Sequence, residues 1–410
     1  MLTKSENNNA IIAELCNVRP HPNADRLKLA TVLGTQVVVG LDAKDGDVVI
    51  YFDSNLCLSP EYLKTNNLYS NAELNADPTK KGYFGKHGRI KAQRFRGEVS
   101  NGYVATMDTL ITCGAVKYYD DLDLQVGDEF THVNGVKICE KYIIPTNYSG
   151  DRAGLKRTKQ PISEMFWKHW DTKHLMRESH RIAEGMIYIE EKIHGTSART
   201  GNVLCRTNRP WWKFWLPKEE WKVVSGTRRV DQIGNHMPDE RKEVEEMLAP
   251  HLHQGEQVYY EIFGNCKNGS PVQADWCRYG CIGGKYRVML YRVTITTPDG
   301  FCVDLPREMV YKRAEELGLE KPELLGKTYF VKDEFVEAYH DPVERWKLED
   351  LKEYAEGKSA LDANTIREGI VVWFMDKSGK WDCLKLKSEE FLMKDSSQQD
   401  AGIGDVEDNL

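Results

Sequence analysis

The chain has no run of about 18 apolar residues, the length a membrane-spanning helix needs. It has no internal repeat and no paired CxxC sets, and its opening, MLTKSENNNAIIAEL, lacks the apolar core of a signal peptide. These absences argue against a membrane protein, a repeat array and a zinc-ribbon or disulfide scaffold. A soluble, intracellular, cytoplasmic protein is expected. The ten cysteines are scattered and are expected to be buried, reduced thiols. Cys266, Cys277 and Cys281, with His251 and His253 nearby, fit no zinc spacing.

Positive charge is also in deficit. The net charge of −7 weighs slightly against a nucleic-acid partner. Net charge is a blunt statistic, because acid elsewhere does not cancel a basic patch beyond a Debye length of about 10 Å. The segment Lys80–Arg96 (KKGYFGKHGRIKAQRFR) is strongly basic, whereas 395–410 is acidic and is expected to be a disordered tail. Within Arg89–Thr109, basic and aromatic residues interleave. Lys91, Arg94 and Arg96 are candidates for RNA phosphates, with Phe95 or Tyr103 packing or stacking, and a solvated basic edge explains the same pattern.

At 410 residues and 40% hydrophobic content the chain can fill two or three cores. From Ile11 to about Tyr142, short β-like runs (30–33, 36–39, 47–52) are punctuated by Gly34, Gly40 and Asp45-Gly46-Asp47. They suggest a small barrel or sandwich. A turn-rich joint follows, and 167–181 is expected to be helical. From Met186, strands at 186–193, 258–263, 287–296 and 369–374 mix with helices at 238–248 and 308–317 without βαβ alternation. That pattern predicts an α+β class with antiparallel sheet. The expected layout is an OB-like barrel over 1–145, a linker over 146–180, a catalytic domain over 181–394 and the tail.

Four features of the second region carry chemistry. In Glu191-Lys192-Ile193-His194-Gly195 a lysine at the end of a strand precedes a glycine turn. In Val258–Gly264 (VYYEIFG) one carboxylate, Glu261, sits in an apolar strand, where it needs a donor or a cation. In Arg367–Trp373 (REGIVVW), Glu368 immediately precedes Gly369 and an apolar strand. In Leu384–Ser388 (LKLKS), alternation puts Lys385 and Lys387 on one face of a strand, a pair that repels unless an anion lies between them.

The ordered set KxHG, YEIFG, EGIVV, KLK resembles motifs I, III, IV and V of the covalent nucleotidyltransferases, which include DNA ligases, RNA ligases and mRNA capping enzymes. It spans roughly Met186–Ser388. Segment His21–Leu27 (HPNADRL) resembles the opening of OB-fold tRNA-binding domains. An OB-like domain ahead of the catalytic one, together with His194 where most of the superfamily has Asp, resembles the fifth RNA ligase family.

That resemblance implies the following roles. Lys192 attacks the α-phosphate of ATP to form lysyl-AMP. AMP then passes to an RNA 5′-phosphate, and a 3′-OH seals the strand, with a duplex nick the expected substrate. Attack needs a neutral amine, although a free lysine has a pKa near ~10.4. Lys385, Lys387 and Mg²⁺ or Mn²⁺ would favour that form and balance the phosphate charge. Glu368 is the first choice to hold hydrated metal, with Glu261 on metal or ribose. Glu191, His194 and Gly195 would border the nucleotide. Arg206 or Arg209 would reach the ribose or the RNA end, and Tyr291 in Val288–Thr294, with Met289 on its face, would stack on adenine. The cluster Trp211–Trp215, with Trp221, is expected to pack its own small core, the alternative being to stack on RNA bases. A monomer acting on RNA without a membrane is expected. The alternatives are a capping-type guanylyltransferase and a non-catalytic RNA- or tRNA-binding protein.

Overall fold

A computed structural model describes the chain except for residues 7, 119–123, 144–162, 170, 208–211, 213, 216, 229–230, 233–238, 331–349 and 403–410. The class is mixed α+β, built on antiparallel sheets. Backbone packing divides the chain into two compact units. One comprises Met1–Thr146 together with Glu389–Gly404, and the other is Asn147–Ser388. No helix among the described residues is long and apolar enough to cross a membrane.

In the first unit the predicted strands form at Lys28–Val32, Thr35–Val39 and Val48–Phe52. No closed barrel forms among the described residues. The strands fall into small separate sheets of two to four members. The physical reason lies in the four-stranded sheet that contains Ala10–Glu14 and Val48–Phe52, which is buried on both faces. Ala10, Ile12, Ile50 and Phe52 face one core. Ile11, Ala13, Val49 and Tyr51 face another, shared with Ala30, Val32, Val37 and Val39. A closed barrel has one interior and one solvated exterior. Here both sets of alternating side chains are apolar, so the sheet is covered twice and stays open.

The HPNADRL segment acts as a brace. His21 Nδ1 accepts from the Asn23 amide at 3.0 Å, which leaves Nε2 to donate to the Phe95 carbonyl at 3.0 Å. Asn23 Nδ2 donates to the Arg96 carbonyl at 3.0 Å. The segment thereby holds the turn of the basic hairpin Ala92–Phe95/Glu98–Asn101, where Arg96 has a φ of 46°. Arg94 and Arg96 are exposed, and Arg94 donates to the Gly97 carbonyl at 2.9 Å. Lys91 is engaged by the protein itself, its Nζ lying 2.9 Å from Asp400 Oδ2. Tyr103 is a core residue, stacked on Phe52 with centroids 5.9 Å apart.

Asp400 marks a departure from the expected tail. Residues 395–400 belong to a helix, Glu389–Asp400, that packs on the first unit. Phe391 is fully buried. Arg89, itself buried, donates to the Ser396 carbonyl at 3.0 Å and to Gln399 Oε1 at 2.9 Å. Ser396 Oγ accepts from the Ala92 amide at 3.2 Å. The polar composition that suggests disorder supplies the partners of a buried guanidinium.

The second unit holds a five-stranded and a six-stranded sheet. Their strands pair antiparallel, apart from the parallel pair Lys173–His174/Trp381–Lys387. Among the described residues of the expected 167–181 helix, only Leu175–Glu178 is α-helical. In the five-stranded sheet, Gly185–Lys192 lies beside Gly369–Met375, which lies beside Trp381–Lys387. One face is apolar: Ile187, Ile189, Ile370, Val372, Leu384 and Leu386 pack with Leu351 and Ala355 of the Asp350–Ala355 helix. In the six-stranded sheet, Ala198, Val258, Tyr260, Ile262, Leu290 and Val293 pack under helices Asp239–Leu248 and Arg307–Glu316 through Val244, Leu248, Val310 and Ala314. The opposite face of the five-stranded sheet carries a second buried cluster, Tyr188, Trp373 and Cys383, beside its polar residues.

Candidate active site

The register of the five-stranded sheet assembles a polar cluster from three strands. Lys192 is paired with Gly369, and Gly369 with Lys387. One row along, Glu190 faces Val371, and Val371 faces Lys385. With a side-chain period of two, Lys192, Lys385 and Lys387 share the face opposite Leu384 and Leu386. Gly369 makes this close approach possible. A Cβ there would lie 2.0 Å from the Leu386 carbonyl oxygen.

Glu368, one residue before the strand, is almost fully buried at the centre of the cluster. Lys192 Nζ donates to its Oε2 at 2.8 Å, Lys387 Nζ lies 3.3 Å from Oε1, and His194 Nδ1 is 3.8 Å from Oε2. Burial alone would push the carboxyl up. The charges of Lys192, Lys387 and His194 together outweigh it and hold Glu368 down at about 2. Lys385 takes the opposite course. Burial, then the neighbouring charges of Lys387, Lys192 and Arg228, push its ammonium down to about 7. It is in no ion pair among the described residues. A half-buried lysine beside other cations is a ready receptor for a polyanion.

The glycine turn after Lys192 is gripped from several sides. Glu261 Oε1 accepts from the Gly195 amide at 3.1 Å, and its Oε2 accepts from Ser197 Oγ at 2.8 Å. The Gly195 carbonyl accepts from Gln273 Nε2 at 2.6 Å, and the His194 amide donates to the Tyr279 hydroxyl at 2.8 Å. The Trp276 ring lies roughly parallel to the His194 imidazole, with centroids 6.4 Å apart. Arg241 donates to Thr196 Oγ1 at 2.7 Å. A Cβ on Gly195 would come within 2.4 Å of the Ile262 carbonyl oxygen and 2.9 Å of Glu261 Cγ. Replacing Gly195 with Ala must therefore push the turn off the Glu256–Gly264 strand. The expected result is loss of any chemistry at Lys192 by two orders of magnitude or more, on the scale of ~10² for an ångström of misplacement, with the fold retained by circular dichroism. A variant as active as the parent would show that the turn is not held by this contact.

The other predicted residues are placed less simply. Glu191 lies on the alternate face of its strand and accepts from the Ala360 amide at 2.8 Å, so its side chain buttresses the loop around Ser359 and Ala360. Tyr291 is the extra residue of a bulge opposite Tyr259 and Tyr260. The bulge puts it on the side of Met289 and Glu261, where its ring meets the edge of His169 at 5.8 Å. Arg206 stands at the far end of the Thr196–Arg206 strand, its side chain 84% exposed. Arg209 lies outside the described residues. The expected small core at Trp211–Trp215 does not form among the described residues, since Trp212, Phe214 and Trp215 are exposed. The cysteines are free thiols, and no group of three His, Cys, Asp or Glu side chains suits a metal among the described residues. Two carboxylates, Glu368 and Glu261, do border the cluster. Such a pair suits Mg²⁺ or Mn²⁺ only when nucleotide phosphates and water complete the shell.

The sequence reading missed Gln273, Trp276 and Tyr279. All three come from Asn265–Lys285, directly after YEIFG, a segment conspicuous only for its cysteines. A Trp and a Tyr among glycines in a loop that follows a site strand were the available signal.

The same architecture is found in solved RNA ligase structures from Naegleria gruberi. One, a variant with ATP and Mn, matches at 18% identity and a TM-score of 0.60, over 94% of this chain and 98% of that one. Another, with pyrophosphate, matches at 19% identity and a TM-score of 0.58, over 95% and 98%. A third, a variant with AMP and Mn, matches at 18% identity and 0.58, over 94% and 98%. The chain has a fold like that of these RNA ligases. No protein-family model and no curated protein sequence matches it.

Proposed function

We propose that the chain is an ATP-dependent RNA ligase of the fifth RNA ligase family, working through lysyl-AMP. The observation that carries this reading is the convergence of Lys192, Glu368, Lys385 and Lys387 on one sheet face, at the turn gripped by Glu261. The near full-length likeness to ligase structures holding ATP, AMP, Mn or pyrophosphate supports it.

In the proposed reaction Lys192 Nζ bonds to the α-phosphorus of ATP, the bond to the bridging oxygen breaks, and pyrophosphate leaves. The amine must first lose a proton and leave Glu368. Lys385 and Lys387 neutralise the phosphate oxygens as their charge grows. Glu368 and Glu261 would hold Mg²⁺ or Mn²⁺, which supplies Lewis-acid polarisation of the phosphate when bound. AMP then passes to a 5′-phosphate, and an RNA 3′-OH displaces it at a nick.

Incubation with α-labelled ATP or GTP, followed by denaturing electrophoresis, tests the reading. A covalent label from ATP is the expected result, and label from GTP alone would mean a guanylyltransferase. A panel of nicked duplexes differing only in which strands are RNA or DNA then fixes substrate class.

Lys385 gives the site a pH dependence. Its pKa, lowered to about 7, must rise when a polyphosphate binds beside it. Below pH 7 the lysine is already charged and nucleotide affinity is flat. Above pH 7 binding must take up a proton, and affinity falls as pH rises, by up to about tenfold per pH unit. Calorimetry at pH 8 in buffers of different ionisation enthalpy reads the proton directly. Lys385→Met should bind more weakly and lose the uptake. Uptake that survives the substitution would move the titration to another group.

A further inference from the structure

The long hairpin Thr196–Arg206/Glu219–Thr227 starts at the site turn and runs away from it. Its first strand has 11 residues, a reach of roughly 35 Å at 3.2–3.4 Å per residue. The outer part of the hairpin strand is still packed, with Val203 and Cys205 against Met165 and Phe166. At the far end Trp212, Phe214 and Trp215 are 55%, 77% and 66% exposed. Phe214 and Trp215 meet edge to face at 5.4 Å, so they hold each other in place while presenting ring surface to solvent. Three large aromatics together on a hairpin tip are costly to leave in water and mark a binding surface.

Charge selects the occupant. The connection over 207–218 contains no acidic residue. Lys218 is exposed, and Arg206 is 84% exposed, with Glu164 3.8 Å away. Planar rings among cations match a single strand of nucleic acid, whose bases stack while its phosphates meet Lys and Arg. We infer that the hairpin tip is a stacking platform for single-stranded RNA, remote from the reacting ends. The choice of RNA rests on the ligase reading, whereas the stacking chemistry rests on the tip alone. With the tip some 35 Å from Gly195 along the strand, its contact serves an unpaired stretch flanking the join.

Fluorescence anisotropy with labelled single-stranded RNA tests this, using the full chain. Trp212→Ala/Phe214→Ala/Trp215→Ala should weaken binding about tenfold or more, about 1.4 kcal/mol. Its melting temperature and its salt slope should be unchanged. Arg206→Ala/Lys218→Ala should instead flatten the salt dependence. Trp212→Phe/Trp215→Phe, which keeps the rings, should retain most of the affinity. Self-adenylylation should not change in the two aromatic variants. RNA binding by the triple variant within about twofold of the parent overturns the inference. So does a parent whose aromatic-dependent binding is to vesicles of anionic lipid and not to RNA. If no adduct forms with ATP but the RNA losses appear, the ligase reading falls and the platform stands. If the adduct forms and the triple variant binds RNA normally, only the platform falls.

Discussion

Lys192→Ala should form no covalent adduct with α-labelled ATP, a loss of about 10⁴-fold or more, while binding RNA as the parent does. The expected loss is this large because the neighbouring amines cannot take over. Lys387 lies on the next strand but one, on the other oxygen of Glu368, and Lys385 is a row further back. Neither adjoins the glycine turn that Glu261, Gln273 and Tyr279 hold. Removing Lys192 also leaves Glu368 with weaker compensation, so a thermal melt should accompany the assay. An adduct that persists in Lys192→Ala would place the nucleophile elsewhere and remove the central support of the ligase reading.

Arg307→Met should cost about 3–5 kcal/mol of stability, the most of any single substitution considered. Arg307 and Glu190 are both almost completely buried. Nε and one terminal nitrogen of the guanidinium donate to the carboxylate at 2.8 and 2.7 Å. The other terminal nitrogen reaches the Tyr291 carbonyl at 2.7 Å, and the group lies over Trp373 at 4.3 Å. One side chain thus ties the Lys192 strand to the bulge carrying Tyr291. Burial pushes the Glu190 carboxyl up even with Arg307 and Tyr311 opposing it. Without the guanidinium it rises further, and the acid folds best when protonated. The stability of the variant should therefore fall as pH rises from the ordinary carboxylate range towards the raised value. Urea denaturation at pH 5 and pH 8 reads this, with the larger deficit expected at pH 8. Glu190→Gln/Arg307→Met should recover much of the loss. Equal deficits at both pH values would mean that lost packing, not an uncompensated charge, is the cause.

The legible parts of the chain were those governed by local rules. Strand alternation placed Lys385 and Lys387 together and Leu384 and Leu386 in the core, because a period of two is a property of the backbone. The glycine of KIHG was read as a turn; that it and the glycine of EGIVV also sit at close backbone approaches emerges only from the neighbouring strands. Illegible parts depended on what a face meets. Nothing in the short N-terminal strands said that both faces of one sheet would be covered, so a barrel was expected where an open sheet stands. Glu191 was read with Lys192 as one motif, yet adjacent strand residues point opposite ways, and its partner, Ala360, lies 169 positions along the chain. Likewise the bulge at Tyr291 arises from pairing with Tyr259 and Tyr260, and neither strand reveals it alone.

The helix Glu389–Asp400 has a consequence for biosynthesis. The first unit is discontinuous in the chain: the acceptors of the buried Arg89 at Ser396, Gln399 and Asp400 are made 307 to 311 positions after it. Domains ordinarily fold in the order in which they are made. Here the N-terminal unit must wait, its guanidinium uncovered, while all 242 residues of Asn147–Ser388 are synthesised. The second unit is therefore synthesised in full before Glu389–Asp400 emerges to complete the first.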